Sequence, residues 1–341
     1  MAITLNTAHA KEAITDALIA KLPVMLHGSP GLGKSSIIKE IAKEFNLKLI
    51  DVRLSQCDPT DINGLPTFNQ ETGKARYAPI DTFPLEGDEI PKGYQGFMIF
   101  LDEFNSAPRA VQAAAYRLVL DKEIGQYKLH DKAVIVCAGN LGTDNAIVNQ
   151  MSTAMQSRLI HLELAVDTNA WLEWASENKL DYRVTSFIQF RKDLLYRFDP
   201  NHSDKTFPCP RTWEFASALI KKWPDIPHNR LAVLAGTIGE GVAREFVGFC
   251  KIFQKLPNIS QIVSQPTKVK MPEEPSVLFA ISGMIGHETK ETNIAPIMNF
   301  IERMPLEFQI ITIRDIVKRN RKLVQDPALK SWISNNAEDL F

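Results

Sequence analysis

Apolar residues in the first half of the chain follow two alternating periods. Ala8–Leu22 repeats at helical spacing, with Asn6 or Thr7 ahead of it as a cap. Pro23–His27 is a short apolar run that ends at glycine, as a buried strand does. A helical pattern returns over Lys34–Phe45 and a strand pattern over Lys48–Arg53. Phe97–Leu101 is apolar without interruption, which suits a strand covered on both faces. Ala110–Leu120 then reads as helix, and Ala133–Ala138 and Leu159–Leu164 as strands. Two stretches read as hairpins: Thr67–Tyr77, turning at Glu71-Thr72-Gly73, and Glu123–Leu129, turning near Gly125. Beyond residue 165 the pattern becomes helices parted by proline-rich loops such as Phe207–Pro210 and Pro272–Pro275. All five tryptophans lie in that second part.

Strands alternating with helices predict a parallel sheet with helices on both sides. The expected fold class is α/β: a central parallel five-stranded sheet flanked by helices, followed by a smaller all-α domain. The expected boundaries are 1–165 for the α/β part and 166–341 for the helical part.

Composition narrows the partners. The chain has 341 residues, with 39 Lys+Arg against 40 Asp+Glu, so no global charge draws it to nucleic acid or an anionic membrane. The four cysteines, Cys57, Cys137, Cys209 and Cys250, form no C-x-x-C pair and read as isolated reduced thiols. The start of the chain lacks a basic stretch followed by an apolar run, and no apolar stretch is long enough to span a bilayer. The expectation is a cytoplasmic protein without membrane insertion.

Gly28-Ser29-Pro30-Gly31-Leu32-Gly33-Lys34-Ser35 satisfies G-x-x-x-x-G-K-[ST] at every fixed position. Glycines admit backbone shapes that a Cβ forbids, so such a loop can turn its N–H groups around phosphate oxygens. The helix that follows adds its positive N-terminal end. Lys34 is expected to reach the β- and γ-phosphates of ATP, and the Ser35 hydroxyl to ligate Mg²⁺. Ser36, next along the helix, is counted with the nucleotide-binding positions.

The apolar run Phe97–Leu101 leads into Asp102-Glu103 and places two carboxylates at the C-terminal end of a strand, where parallel sheets bind ligands. Asp102 is the second candidate magnesium residue, and Glu103 the candidate general base that polarises the attacking water. Asn140 follows the strand Ala133–Gly139 and can hydrogen-bond that water or the γ-phosphate.

Asp102-Glu103-Phe104-Asn105-Ser106-Ala107-Pro108, followed by Val111-Gln112-Ala113-Ala114, resembles the MoxR branch of AAA+ ATPases over roughly residues 5–215. The resemblance implies a hexameric ring with ATP at subunit interfaces. It also implies a chaperone-like remodelling activity on a protein client or on a partner with a von Willebrand factor A domain. By the same resemblance Gly28–Ser35 is the Walker A loop, Asp102 and Glu103 are Walker B, and Asn140 is sensor 1. The resemblance also implies that Arg158 is the arginine finger offered to a neighbouring copy and that Arg211 is sensor 2 on a lid helix. The Thr67–Tyr77 hairpin matches the helix-2 insert. Leu141 stands where the family often has proline, and Ser157-Arg158-Leu159 where it often has D-R-F.

Two other readings share the nucleotide core. One is a nucleotide-gated assembly scaffold with little turnover; Glu103 argues against it, because a scaffold can dispense with the base. The other is a nucleic-acid-directed motor or loader. The basic run Arg314, Lys318, Arg319, Arg321 and Lys322 invites it, but Ile313, Ile316, Val317 and Leu323 between them read as an amphipathic helix with a charged outer face.

Overall fold

The computed structural model describes residues 3–144, 149, 151–201 and 204–336, and the chain divides into two compact units. The first runs to Asp167 and includes Asp199–Asn201; the second holds Thr168–Phe198 and residues 202–341. The units are of nearly equal length, so the helical part is not the smaller of the two.

The strands of the first unit are, in chain order, β1 (Thr4–Leu5), β2 (Val24–His27), β3 (Leu47–Arg53), β4 (Leu65–Phe68), β5 (Ala75–Ala78), β6 (Gly96–Asp102), β7 (Glu123–Ile124), β8 (Tyr127–Lys128), β9 (Ala133–Gly139) and β10 (Ile160–Leu164). Its helices are α1 (Thr7–Ile19), α2 (Lys34–Glu44), α3 (Pro59–Asn63), α4 (Arg109–Leu120) and α5 (Thr153–Gln156). Six strands form one sheet in the order β1-β10-β2-β9-β6-β3, and every pair in it is parallel. The expectation of five strands is corrected by β1. Two residues are too short to show a period of two, and their pairing with Glu163 and Leu164 is visible only in three dimensions. The remaining four strands form the two hairpins, β4–β5 and β7–β8.

The sheet is buried on both faces by residues that alternate along each strand. Met25, Ile99, Leu101, Ile135 and Cys137 pack with Val111, Ala115 and Leu118 of α4. Val24, Leu26, Met98, Phe100, Val136 and Ala138 pack with Ile14 of α1 and Ile37, Ile38 and Ile41 of α2. The uninterrupted apolar runs of β6 and β9 follow from this double cover. Asn6, rather than Thr7, caps α1 by accepting from the His9 amide at 2.8 Å.

Among the described residues the second unit has helices and no strand: α6 (Thr168–Glu177), α7 (Tyr182–Phe190), α8 (Pro210–Ile220), α9 (Leu231–Ile238), α10 (Glu240–Phe253), α11 (Ile259–Ser264), α12 (Pro275–Glu288), α13 (Ile294–Ile301), α14 (Leu306–Arg319) and α15 (Pro327–Asn335). Two apolar clusters fill it. One is centred on Trp213, Phe187 and Phe246, the other on Phe300, Ile281 and Trp332. None of the helices among the described residues is long and apolar enough to cross a membrane.

Candidate functional site

The glycine loop joins β2 to α2 at the C-terminal edge of the sheet. Gly31 and Gly33 have φ of 83° and 86°, a region that side chains rarely adopt, and Gly33 is the left-handed residue that starts α2. Any other residue at these positions would strain the turn that puts Lys34 at the first position of the helix. Two amides of the loop are committed to the fold: Gly28 N–H donates to Gly139 O at 3.2 Å, and Ser36 N–H to Gly33 O at 2.9 Å. The Gly28 carbonyl faces Lys34, and Ser36 is exposed.

The Lys34 ammonium donates to the carbonyls of Gly28 and Ser29 and to Asn140 Oδ1, the last two at 3.2 Å. Its charge is thus held at the mouth of the loop by three oxygen atoms. Ser35 Oγ donates to Asp102 Oδ2 at 2.9 Å. A hydroxyl and a carboxylate oxygen side by side are the hard donors that magnesium prefers, and one or two such groups suffice because the ion keeps most of its waters. Magnesium held by Ser35 and Asp102 would offset negative charge on phosphate oxygens.

β6 ends abruptly. Glu103 takes the left-handed conformation at φ 54°, its amide donates to Asp102 Oδ1 at 2.9 Å, and a 3₁₀ turn over Phe104–Ser106 follows. A left-handed non-glycine residue is costly, and the buried Phe104 beneath it fixes the turn in the sheet core. The Glu103 carboxylate accepts from the hydroxyl of Ser55, which follows β3. Ser55 was not anticipated, because a serine after a strand has no distinguishing pattern.

Two further polar residues gather here: Asn105, which lies in the Asp102–Pro108 run but has no role assigned by it, and Asp144, which no motif announces. Asn105, 4% exposed, pairs with the backbone of Asn140 through both ends of its amide. Asp144, 7% exposed, accepts from Ser29 Oγ at 2.9 Å and Leu141 N at 3.1 Å. It ties the segment after β9 to the glycine loop.

His27 immediately precedes the loop. Its ring stacks on that of His161 on the neighbouring strand β10, with His27 Nε2 2.9 Å from His161 Nδ1. His161 Nε2 lies 2.9 Å from Gln156 O, a group that only accepts. The His161 proton therefore sits on Nε2 in the neutral ring, and His27 donates to the bare Nδ1. Burial, then His161, then the Lys34 charge hold the His27 pKa down at about 4.

The first unit thus brings Gly28–Ser35, Asp102, Glu103 and Asn140 to one edge. Arg158 is elsewhere. It precedes β10, whose first residue pairs with Val24 at the start of β2, so it belongs to the opposite, N-terminal edge. Its exposed guanidinium donates to Tyr116 Oη at 2.9 Å and Ala154 O at 3.0 Å. Arg211 lies in the second unit, exposed on the first turn of α8.

Residues 24–161 match the model of the ATPase family associated with various cellular activities (AAA). Midasin of Giardia intestinalis is 27% identical over 175 residues, which is 48% of this chain and only 3% of that protein's length. A putative ATPase from Cytophaga hutchinsonii aligns over 98% of this chain and 90% of its own at 14% identity, with a TM-score of 0.35. A mutant Thermotoga maritima RuvB aligns over 82% and 81% at 16% identity, with a TM-score of 0.40. The family match, residues 24–161, spans the glycine loop, the acidic strand end and Asn140 together.

Proposed function

We propose that this chain hydrolyses ATP with magnesium, assembles into a ring of its own copies, and remodels a protein partner in the manner of the MoxR branch. The observation that supports this most is the convergence of three strand ends on one loop: Lys34 reaches Asn140 after β9, and Ser35 reaches Asp102 at the end of β6. Gly28–Ser35 binds the triphosphate, with Ser35 and Asp102 as the magnesium residues. Glu103 polarises the water that attacks the γ-phosphorus, and Asn140 orients that water or the γ-phosphate. Glu103 must first leave Ser55, whose hydroxyl occupies its carboxylate.

Arg158 serves a neighbouring copy. β2 puts roughly 13 Å of strand between the two edges of the sheet, at about 3.3 Å per residue, so Arg158 is badly placed for its own loop. Arg211 acts as the second phosphate sensor, from the helical unit. The client is a protein, such as one with a von Willebrand factor A domain. The basic run favours this over a nucleic-acid track: Lys318, Arg319 and Arg321 are engaged with Glu173, Asp315 and Glu177. Calorimetric titration with magnesium-ATP, followed by a turnover assay and imaging with a slowly hydrolysed analogue, tests the reading. Heat of binding, phosphate release and rings are expected. Well-folded protein that takes up no nucleotide would end the proposal.

A further inference from the structure

Asn105 occupies a position that the roles above leave unassigned. It lies two residues after Glu103, and its side chain is almost wholly buried. Its Nδ2 donates to Asn140 O at 2.7 Å, and its Oδ1 accepts from Asn140 N at 3.1 Å. The orientation of the amide is set by these partners, since a backbone N–H can only face the oxygen and a backbone carbonyl only the nitrogen. The contact has the form of a sheet rung. The last register pair between β6 and β9 is Leu101 with Cys137, and beyond it the backbones part as Glu103 turns away. The Asn105 amide replaces the missing peptide group and bonds both the N–H and the C=O of one residue, as a paired strand does.

Two further observations show how closely this rung is built. The Asn105 carbonyl accepts from Asn149 N at 2.6 Å, so the turn is held from its other side as well. At Gly139 an added Cβ would overlap Asn105 Oδ1 and lie 2.7 Å from its Cγ. It would also lie 2.7 Å from Met25 Cε, the flexible end of a side chain that can yield. Asn105 is fastened at both ends and cannot.

We propose that Asn105 is a positioning residue that locks Asn140 to the Glu103 turn, so that the phosphate-sensing amide and the water-polarising carboxylate keep one spacing. This rests on the ATPase reading above. No other common side chain fills the role. Aspartate keeps the length and loses the donor, which sets a carboxylate against the Asn140 carbonyl. Leucine keeps the volume and leaves both backbone groups unpaired.

The test is a double-mutant cycle on the full chain. Asn105→Ala removes the rung, and Gly139→Ala disturbs it without altering any group that touches nucleotide. Each single variant is expected to bind a fluorescent ADP analogue within about twofold of the parent and to lose about 100-fold in kcat, the scale of a displacement of about 1 Å at a reacting centre. KM should stay near the parent value. The double variant should be no slower than the slower single one, because both act through one contact. Asn105→Asp supplies a third measurement should Asn105→Ala fold poorly, and it should share the kcat loss. Parental kcat in Asn105→Ala or Asn105→Asp overturns the inference, as do losses that multiply in the double variant. Amide hydrogen exchange separates this from the ATPase reading. Asn105→Ala should expose the Asn140 N–H whether or not the parent turns over ATP; unchanged protection there overturns the rung, and a parent that binds but never hydrolyses ATP overturns only the ATPase reading.

Discussion

The two units treat polar groups in opposite ways. In the first, the buried polar side chains among the described residues are Asn105 and Asp144, and both stand at the candidate site. In the second there are ten among the described residues. Ser176, Asp181, Arg183, Thr185, Ser217 and Asp315 tie one helix to another, while Ser186, Thr289 and Thr312 bond carbonyls of their own helices. Arg183 forks onto Asp181 while donating to the carbonyls of Ile220, Trp223 and Pro224 at and beyond the end of α8. Asp315 accepts from Ser176 of α6 and pairs with Arg319, which also reaches Thr185 of α7. A sheet pairs its own backbone, strand to strand, so the interior of the first unit needs no polar side chains for stability. Helices end with four carbonyls unpaired, and where those ends are buried a side chain must meet them. A buried polar residue thus marks the candidate site in one half of this molecule and helix packing in the other.

Four measurements would break or sharpen that contrast. The largest expected effect is at Arg158: Arg158→Ala should lower turnover by about 10³–10⁵, the range for arginine fingers, and recover in part when mixed with Lys34→Ala subunits. Absence of recovery at every mixing ratio would remove the neighbour from the mechanism. Next, Glu103→Gln should retain ATP and lower turnover by about 10²–10⁴, the span of general-base catalysis, with the melting temperature unmoved. Hydrolysis at the parental rate would cancel the assignment.

The second unit should answer in the other currency. Arg183→Met strands Asp181 and three carbonyls, and is expected to reduce stability by about 3–5 kcal/mol in denaturant titration, with ADP affinity unchanged in the folded protein. A loss of affinity without a loss of stability would erase the contrast. The smallest effect blurs it on purpose. His27 is neutral in the folded chain down to about pH 4, whereas the unfolded chain takes up its proton near 6.5. Stability should therefore decline as pH falls from about 6.5 to 4, and the His27→Asn variant should show a shallower decline in thermal melts across that window. Identical slopes would show that the pair contributes nothing.

Much of the first unit was legible because its signals are local. Phe97–Leu101 and Ala133–Ala138 are buried on both faces and say so in one dimension, and the glycine loop is contiguous. Both hairpins declared themselves by a turn glycine. Ser55 and Asp144 were not legible, and Asn105 was legible only as a letter of the Asp102–Pro108 run and not by its partner Asn140, since a polar residue on a turn looks the same whether it meets water or another side chain. The sixth strand escaped because two residues carry no period. In the second unit the helices could be read from their apolar spacing, but Ser176 meets Asp315 across 139 positions of sequence, and nothing local connects them. Arg319 illustrates the cost: on the helix surface pattern it counted toward a basic face, and in the fold it neutralises a buried carboxylate.

β9 separates β2 from β6, so the strand carrying the glycine loop and the strand carrying the acids never touch. Two strand spacings, roughly 9.5 Å in all, therefore set the width of the mouth between them. That gauge is made of backbone and is indifferent to side-chain exchange. Descendants of this chain can reshape rim, hinge or reach by mutation, but a wider or narrower throat would demand a different sheet.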